Sequence, residues 1–317
     1  MIESIKYKPF DERTVDVQYH NLLKKIMEQG RKFRPIHARL PENKNLEHKE
    51  SLELTGEILQ FDMRNGFPLL PVRDLSKSFK GALGEIIGFM RGAQTMEELK
   101  SAGCPNIFWE RWVSEEKCKI FGLPPHDLGP GSYGATMRRT PTNDGIFDQL
   151  SVLIKQMRDT PTVRTNVLTT WYPPYALSEK GKQPPRKVVV APCHGNFVHF
   201  ILFDEEKELE MTHTQRSADV PVGLALNLVE WAAVGMMVAH LLGYTFTKYT
   251  HFISEPHIYD IQYDSVKELL SRESRKLPSV YLKPDRVVEN IWDFKPEDFK
   301  IGDDYNPHGP MVIPTPV

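Results

Sequence analysis

The chain has 317 residues, enough for one large domain or two ordinary ones, and 40% of them are hydrophobic, with 16 Phe, 11 Tyr and 5 Trp available for a core. Basic and acidic residues nearly cancel, 40 against 42, which argues against a general nucleic-acid or membrane-surface role but leaves room for a small anion held by a few placed arginines. Cys104, Cys118 and Cys193 make no framework of paired bridges, no CxxC and no zinc-ligand spacing, so no metal site is expected and a reducing, cytoplasmic setting is. The opening residues are charged and mixed, with no signal-like apolar region.

Residues 16–29 predict a helix with Leu22, Leu23, Ile26 and Met27 on one face. A basic cluster with Arg31 and Arg34 follows, then an exposed connector to about residue 49 that contains Arg39. Residues 52–63 alternate loosely and predict strands, and 64–68 predict a turn. Residues 75–91 predict a helix, with Phe79, Leu83, Ile86, Ile87 and Met90 at helical spacing. Glu85 lies beside that stripe; on residue type alone it belongs at the exposed edge, because unpaired buried carboxylates are rare. Residues 94–112 predict a further helix ending in Trp109 and Trp112, a spacing more typical of core than of a ligand platform. Residues 128–134 form a glycine-rich loop carrying Tyr133 that matches neither common nucleotide-phosphate pattern.

Residues 148–159 predict an amphipathic helix, 162–171 have strong β character, and 172–186, with four prolines, read as an exposed excursion. Residues 187–203 hold two apolar β-type runs around the break Ala191-Pro192-Cys193-His194-Gly195. A cysteine attacks only as its thiolate and needs positive charge or donors beside it; Arg216 is the nearest candidate in sequence. The commoner fate of a free cysteine is burial as a small apolar residue. A cysteine-hydrolase pairing is disfavoured, because His194, and His199 if the strand runs straight through, would face away from Cys193. Residues 208–213 predict a strand leading into Gln215. Residues 222–243 predict a buried helix, since Asn227, Glu230 and His240 would be costly in a bilayer. A strand over 249–259, a charged surface helix over 265–274 and a Pro-rich tail complete the chain. With no repeat and no dividing linker, residues 1–317 read as a single domain of α/β or α+β class around one large sheet.

Five ordered pieces carry more information together: Ala191-Pro192-Cys193-His194, Gln215-Arg216-Ser217-x-Asp219, Gly223-x-x-x-Asn227, His257-Ile258-Tyr259 and Tyr305-Asn306-Pro307-His308. Their order and rough spacing resemble the thymidylate synthases, and the resemblance runs from about residue 52 to the end. It implies a large mixed β-sheet flanked by helices, a sheet-packed homodimer, and a catalytic domain in which residues 30–50 and 172–186 are variant loops. It further implies that Cys193 adds to C6 of dUMP so that C5 becomes nucleophilic, with Glu85, Tyr133, Arg216, Asp219 and Asn227 in the catalytic set. Arg216 would supply charge beside the thiolate and hold the phosphate together with Ser217 and Arg164, the last reaching the phosphate site of the partner subunit, and Gln215 would be a further substrate-binding residue. Asn227 would read the uracil edge, and His257 and Tyr259 the sugar 3′-hydroxyl. The carbon donor would be 5,10-methylenetetrahydrofolate, bound by Trp109, Trp112, Asp219, Val222, Gly223 and the terminal Val317, with no metal, nucleic acid or membrane involved.

The sequence departs from that pattern in several places. Thr165 stands where the family usually has a second arginine, and the early Arg-Thr-Gly-Thr-Gly loop is missing, leaving Arg31, Arg34 or Arg39 to replace its phosphate contact. His199 replaces a glutamine in a stretch one residue longer than usual, and Leu226 replaces a phenylalanine before Asn227. The expected product is the methylated nucleotide, dTMP. The main rival is the 5-hydroxymethyl nucleotide, formed when water reaches the exocyclic methylene instead of hydride; a non-catalytic nucleotide-binding relative is a weaker rival.

Overall fold

The computed structural model describes residues 3–34, 50–178, 182 and 184–315. Ten α-helices and thirteen strands alternate along them. The helices are α1 (Gln18–Gln29), α2 (Ser76–Met90), α3 (Met96–Ser101), α4 (Asn106–Trp109), α5 (Glu115–Ile120), α6 (Tyr133–Arg138), α7 (Gln149–Asp159), α8 (Pro173–Ala176), α9 (Ala225–Leu242) and α10 (Tyr263–Ser271). The strands are β1 (Arg31–Phe33), β2 (Ser51–Glu53), β3 (Glu57–Asp62), β4 (Thr140–Thr142), β5 (Gly145–Phe147), β6 (Val167–Leu168), β7 (Phe197–Phe203), β8 (Glu208–Gln215), β9 (Ala218–Asp219), β10 (Thr245–Ile253), β11 (Pro256–Tyr259), β12 (Val280–Leu282) and β13 (Phe299–Ile301).

The main sheet runs β3-β10-β8-β7-β6, with β10 parallel to β8 and the other neighbours antiparallel. A second sheet, β1-β2-β11-β9, carries His257 and Asp219 in register on adjacent strands. Side chains alternate along β8, burying Leu209, Met211, His213 and Gln215 on one face, as a half-buried strand requires. That buried face packs on α9, which is apolar nearly all round and ends on the left-handed Gly243. The segment Val220–Leu242 is apolar and long enough to cross a bilayer, but 78% of its best window is buried inside the fold. Helix α2 lies against α9 and brings Glu85 towards Asn227 and Glu230. Trp231, Tyr249, Phe79 and Phe89 are among the largest fully buried side chains, each worth about 1.5–3 kcal/mol of transfer free energy.

Several expectations are corrected. The helix expected over 94–112 is two short ones, because Gly103 takes a left-handed φ of +98° and Pro105 cannot donate to a continuing helix. Of the β-like run 162–171 only Val167 and Leu168 pair, with His199 and Val198; ahead of them the Asn166 amide donates to Pro161 O at 2.9 Å and fixes a turn. The first apolar run, 188–190, joins no sheet: Val189 N donates to Leu128 O at 3.1 Å, and Lys187 N to Tyr175 O at 3.0 Å, so loops take the bonds a ladder would. The strand over 249–259 breaks at Ser254 and feeds two different sheets. The excursion at 172–186 is partly tucked in, with Ala176 buried, and the Pro-rich tail contributes the β12–β13 pair.

Candidate active site

Cys193 sits in the break ahead of β7, half-buried, with its backbone N–H donating to the Tyr133 hydroxyl at 2.7 Å. Two residues on, Gly195 adopts φ +68°, and a Cβ there would meet the Trp231 ring at 2.5 Å, so only glycine lets the chain turn here. Thr170 clasps the turn from the other side, its N–H on Gly195 O and its hydroxyl on His194 O, both at 2.8 Å. Arg216, just past the end of β8, folds back over the break. Its Nη2 donates to Cys193 Sγ at 3.3 Å and to Ala191 O at 2.9 Å, and its Nε donates to Pro192 O at 2.9 Å. The guanidinium also lies 5.5 Å from the Trp171 ring. A fixed cation on the sulfur is the setting a thiolate requires.

A chain of hydrogen bonds joins this break to Asn227, and backbone groups at both ends assign its donors. Gly195 N–H donates to His213 Nε2 at 2.8 Å, so His213 carries its proton on Nδ1 and directs it at His251 Nδ1, 3.3 Å away. At the far end Gln215 Nε2 donates to Ser217 O at 3.0 Å, which leaves its Oε1 to accept from His251 Nε2, also at 3.0 Å. Gln215 Nε2 further donates to Asn227 Oδ1 at 2.9 Å, and the Asn227 Nδ2 donates to Glu230 Oε2 at 3.2 Å. Asn227 therefore has a determined orientation, with one amide hydrogen and one oxygen lone pair left for a ligand. Burial drives both histidines far below the usual imidazole range, His251 to about 3, so the chain is neutral throughout.

Asn227 opens onto a cleft of about 610 Å³ whose walls include Arg73, Glu85, Trp112, Val222, Gly223 and the tail residues 311–315. Glu85 is not at an exposed helix edge: its carboxyl forms part of the cleft wall and accepts from the Trp109 indole N–H. Trp109 itself is buried behind Glu85, edge-on to Phe89 and Tyr133, and does not line the cleft, whereas Trp112 does. Tyr133 stacks on Phe89 with ring centroids 4.6 Å apart; burial, then Cys193, hold its hydroxyl well above the usual phenol range. Asp219 is half-buried at the end of β9, both oxygens accepting from Gln262 Nε2 at 3.1 Å, and desolvation raises its carboxyl to about 7. Gln262 also donates to Pro314 O at 2.9 Å, tying the tail to the same wall. These features suit a large ligand with one face stacked and one polar edge.

Residues 17–317 match the family model described as Thymidylate synthase. The chain belongs to the thymidylate synthase family. That family transfers a one-carbon unit to C5 of dUMP and uses methylenetetrahydrofolate. Of the residues expected from sequence in this thymidylate synthase relative, Cys193, Arg216, Tyr133, Gln215, Asn227 and Glu85 come together around the break and the cleft floor. Val222, Gly223 and Trp112 line the cleft's outer part, and Asp219 lies next to Gly223 outside that lining. His257 is buried on β11 with its ring 4.9 Å from that of Tyr259, and Ser217 lies half-buried between Arg216 and β9. Arg164 stands exposed in the turn before the edge strand β6, away from Cys193 of its own chain. Arg31 and Arg34 are exposed on and beside β1, and Arg39 and Val317 lie outside the described residues. His199 is on the half-exposed face of the main sheet, opposite Thr212, and not in the site. Among the described residues no group of three or more metal-ligating side chains occurs.

Three participants carried no signal in the sequence: His213, His251 and Trp231. Each lies in an ordinary strand or helix pattern, where only the tertiary pairing reveals a polar partner. Glu230 alone had a cue, as a carboxylate three residues after Asn227 on a helix that is otherwise apolar.

Proposed function

We propose that the chain methylates dUMP at C5 through a covalent adduct between Cys193 Sγ and C6, giving dTMP. The observation that carries this reading is the Asn227 amide held by Gln215 and Glu230 in one orientation on the same cleft floor as Glu85, and joined through Gln215, His251 and His213 to the break that holds Cys193 under Arg216. In that orientation Nδ2–H can donate to O4 and Oδ1 can accept from N3–H, the pattern uracil presents and cytosine does not. As Sγ bonds to C6, the C5–C6 electron pair moves towards C5 and O4, and the ring carbon C5 becomes able to attack. Glu85 stands where a water between it and O4 would carry the proton needed there. Methylenetetrahydrofolate would supply the carbon and, for a methyl product, the hydride. Trp112, Val222 and Gly223, with Asp219 next to Gly223, would hold it in the outer cleft, whose volume and mixed apolar and polar lining fit a flat, partly polar ring.

A second reading, hydroxymethylation, is favoured by one observation: Glu85, with the buried Glu230 carboxyl behind it, makes the cleft floor polar and able to hold a water near C5. Incubation with dUMP and methylenetetrahydrofolate, followed by mass spectrometry of the nucleotide, separates the two. A methyl product with dihydrofolate is expected. A hydroxymethyl product with tetrahydrofolate would replace the first reading by the second, and equal inertness of the wild type and Cys193→Ala on dUMP, dCMP and CMP would sink both.

We further propose that the site is completed in a homodimer. Ile58, Phe252, Thr214 and Phe197 lie in one register row across the main sheet, and the three large apolar members are 59%, 36% and 46% exposed. A row of that kind on an open sheet face is a docking surface for a second sheet. Arg164, at the edge of the same sheet, would then face the partner's Arg216 region.

A further inference from the structure

Glu230 is fully buried on α9, three residues after Asn227, and in the proposed chemistry its one task is to orient the Asn227 amide. Its Oε2 accepts from Asn227 Nδ2 at 3.2 Å, whereas Oε1 is buried with no hydrogen-bond partner. The group facing it is the carboxyl of Glu85, which already accepts from Trp109. Two acceptors that face each other can bond only if one carries a proton, and a single proton turns the repulsion into a hydrogen bond.

Arg73 and Arg111 line the same cleft, but among the described residues neither pairs with the Glu230 carboxyl. Facing Glu230 are Glu85 from α2, Cys104 from the turn after α3, His194 from the Cys193 break and Tyr249 from β10. His194 is the only potential positive charge among them, with Nε2 3.7 Å from Glu230 Oε2. Its Nδ1, however, accepts from the Trp231 indole N–H at 2.9 Å; an indole only donates, so that nitrogen is unprotonated and the ring neutral. Among the described residues neither Glu85 nor Glu230 has a lysine or arginine ion-pair partner.

We propose that Glu230 is a positioning residue of the site that holds one proton on Oε1 at neutral pH and donates it to an ionised Glu85. A buried pair without a cation tolerates a charge of −1 or 0 but not −2. Glu85 is thereby kept as the proton-accepting member, and the pair cycles between one proton and two during turnover. A proton that leaves the substrate bonds to Glu85 while its former electron pair stays with the substrate, and Glu85 then releases that proton to water in the cleft, which restores the one-proton pair before the next cycle. Burial pushes both carboxyls up, and Glu85 adds to that effect on Glu230, which agrees with this placement.

The inference rests on the proposed nucleotide chemistry only for its consequence in turnover, so it is tested first on the ligand-free protein. Infrared difference spectra at neutral pH between wild type and Glu230→Gln should show a protonated-carboxyl C=O band that is present in the wild type, lost in E230Q and retained in E85Q. Absence of that band, or its loss in E85Q with retention in E230Q, would overturn the assignment. Glutamine keeps the shape and a donor towards Glu85, so a merely structural role would leave catalysis unchanged. In a wild type that turns dUMP over, E230Q should lower kcat roughly tenfold or more, leave KM for dUMP within about threefold, and remove the alkaline limb of the kcat–pH profile. An unaltered profile would overturn the role assigned to the proton, whereas a wild type inert on dUMP would overturn the substrate reading and leave the infrared result to decide the protonation.

Discussion

Asp219 sits where burial opposes its charge, and Asn227 where neighbours fix its direction; both consequences can be measured. The Asp219 carboxyl is raised to about 7, chiefly by desolvation, while in the unfolded chain it titrates near the ordinary carboxylate value of about 3.9. Between those values the folded state holds a proton that the unfolded state has lost, so this group's contribution to stability falls as pH rises from about 4 to about 7 and stays low above. Asp219→Asn should therefore stabilise the fold at pH 8 by on the order of 1–3 kcal/mol, with the difference vanishing near pH 4 in urea titrations. A constant difference across that range would show that Asp219 is not the group titrating. For Asn227, exchange of the amide for a carboxylate removes the donor to O4 and supplies an acceptor for a cytosine amino group. Asn227→Asp should shift preference from dUMP towards dCMP in paired binding or turnover assays, and unchanged preference would show that Asn227 does not read the base.

At the scale of elements, the break ahead of β7 is the sensitive feature. It exists because Gly195 turns left-handed against Trp231 of α9, and because Thr170 and Arg216 take up backbone groups that the interrupted strand leaves open. Gly195→Ala puts a methyl group 2.5 Å from the indole and into a strained φ. It should cost about 1–3 kcal/mol in chemical denaturation and lower turnover as well, because Cys193 and His213 are placed by the same turn. Stability equal to wild type would mean that the turn relaxes without strain. The helix expected over 94–112 illustrates the same dependence in reverse. Its apolar periodicity is real, yet Gly103 and Pro105 break it, and the break is what delivers Trp109 to Glu85 from a separate short helix.

For the whole molecule, the main sheet has two faces with different tasks. One is sealed by α9 and carries the His213–His251–Gln215 chain; the other exposes Phe197, Phe252 and Ile58. Sedimentation velocity should give about twice the chain mass of 36.5 kDa for the wild type, and Phe252→Glu should shift it towards the monomer. If turnover falls in that variant in proportion to the loss of dimer, and Arg164→Ala lowers nucleotide affinity without dissociating it, the shared phosphate site is supported. A fully active monomer would exclude it.

Local patterns were enough for most of the fold class: helical spacing marked α1, α2, α7, α9 and α10, and β-type runs marked β3, β7, β8 and β10. The ordered motifs were enough to place Cys193, Arg216 and Asn227 in one family-like set, because residue type and spacing are written in the chain itself. What tertiary structure decided was pairing and protonation. Nothing local distinguishes Glu85 on an exposed helix edge from Glu85 in a cleft wall, since that depends on α9 lying across α2. Nor can a sequence show that His213 and His251 are neutral, that Gln215 orients Asn227, or that the Glu230 carboxyl meets another across the helix interface. Those properties belong to groups far apart in the chain, and their energies arise only when burial removes the water that each would otherwise bind.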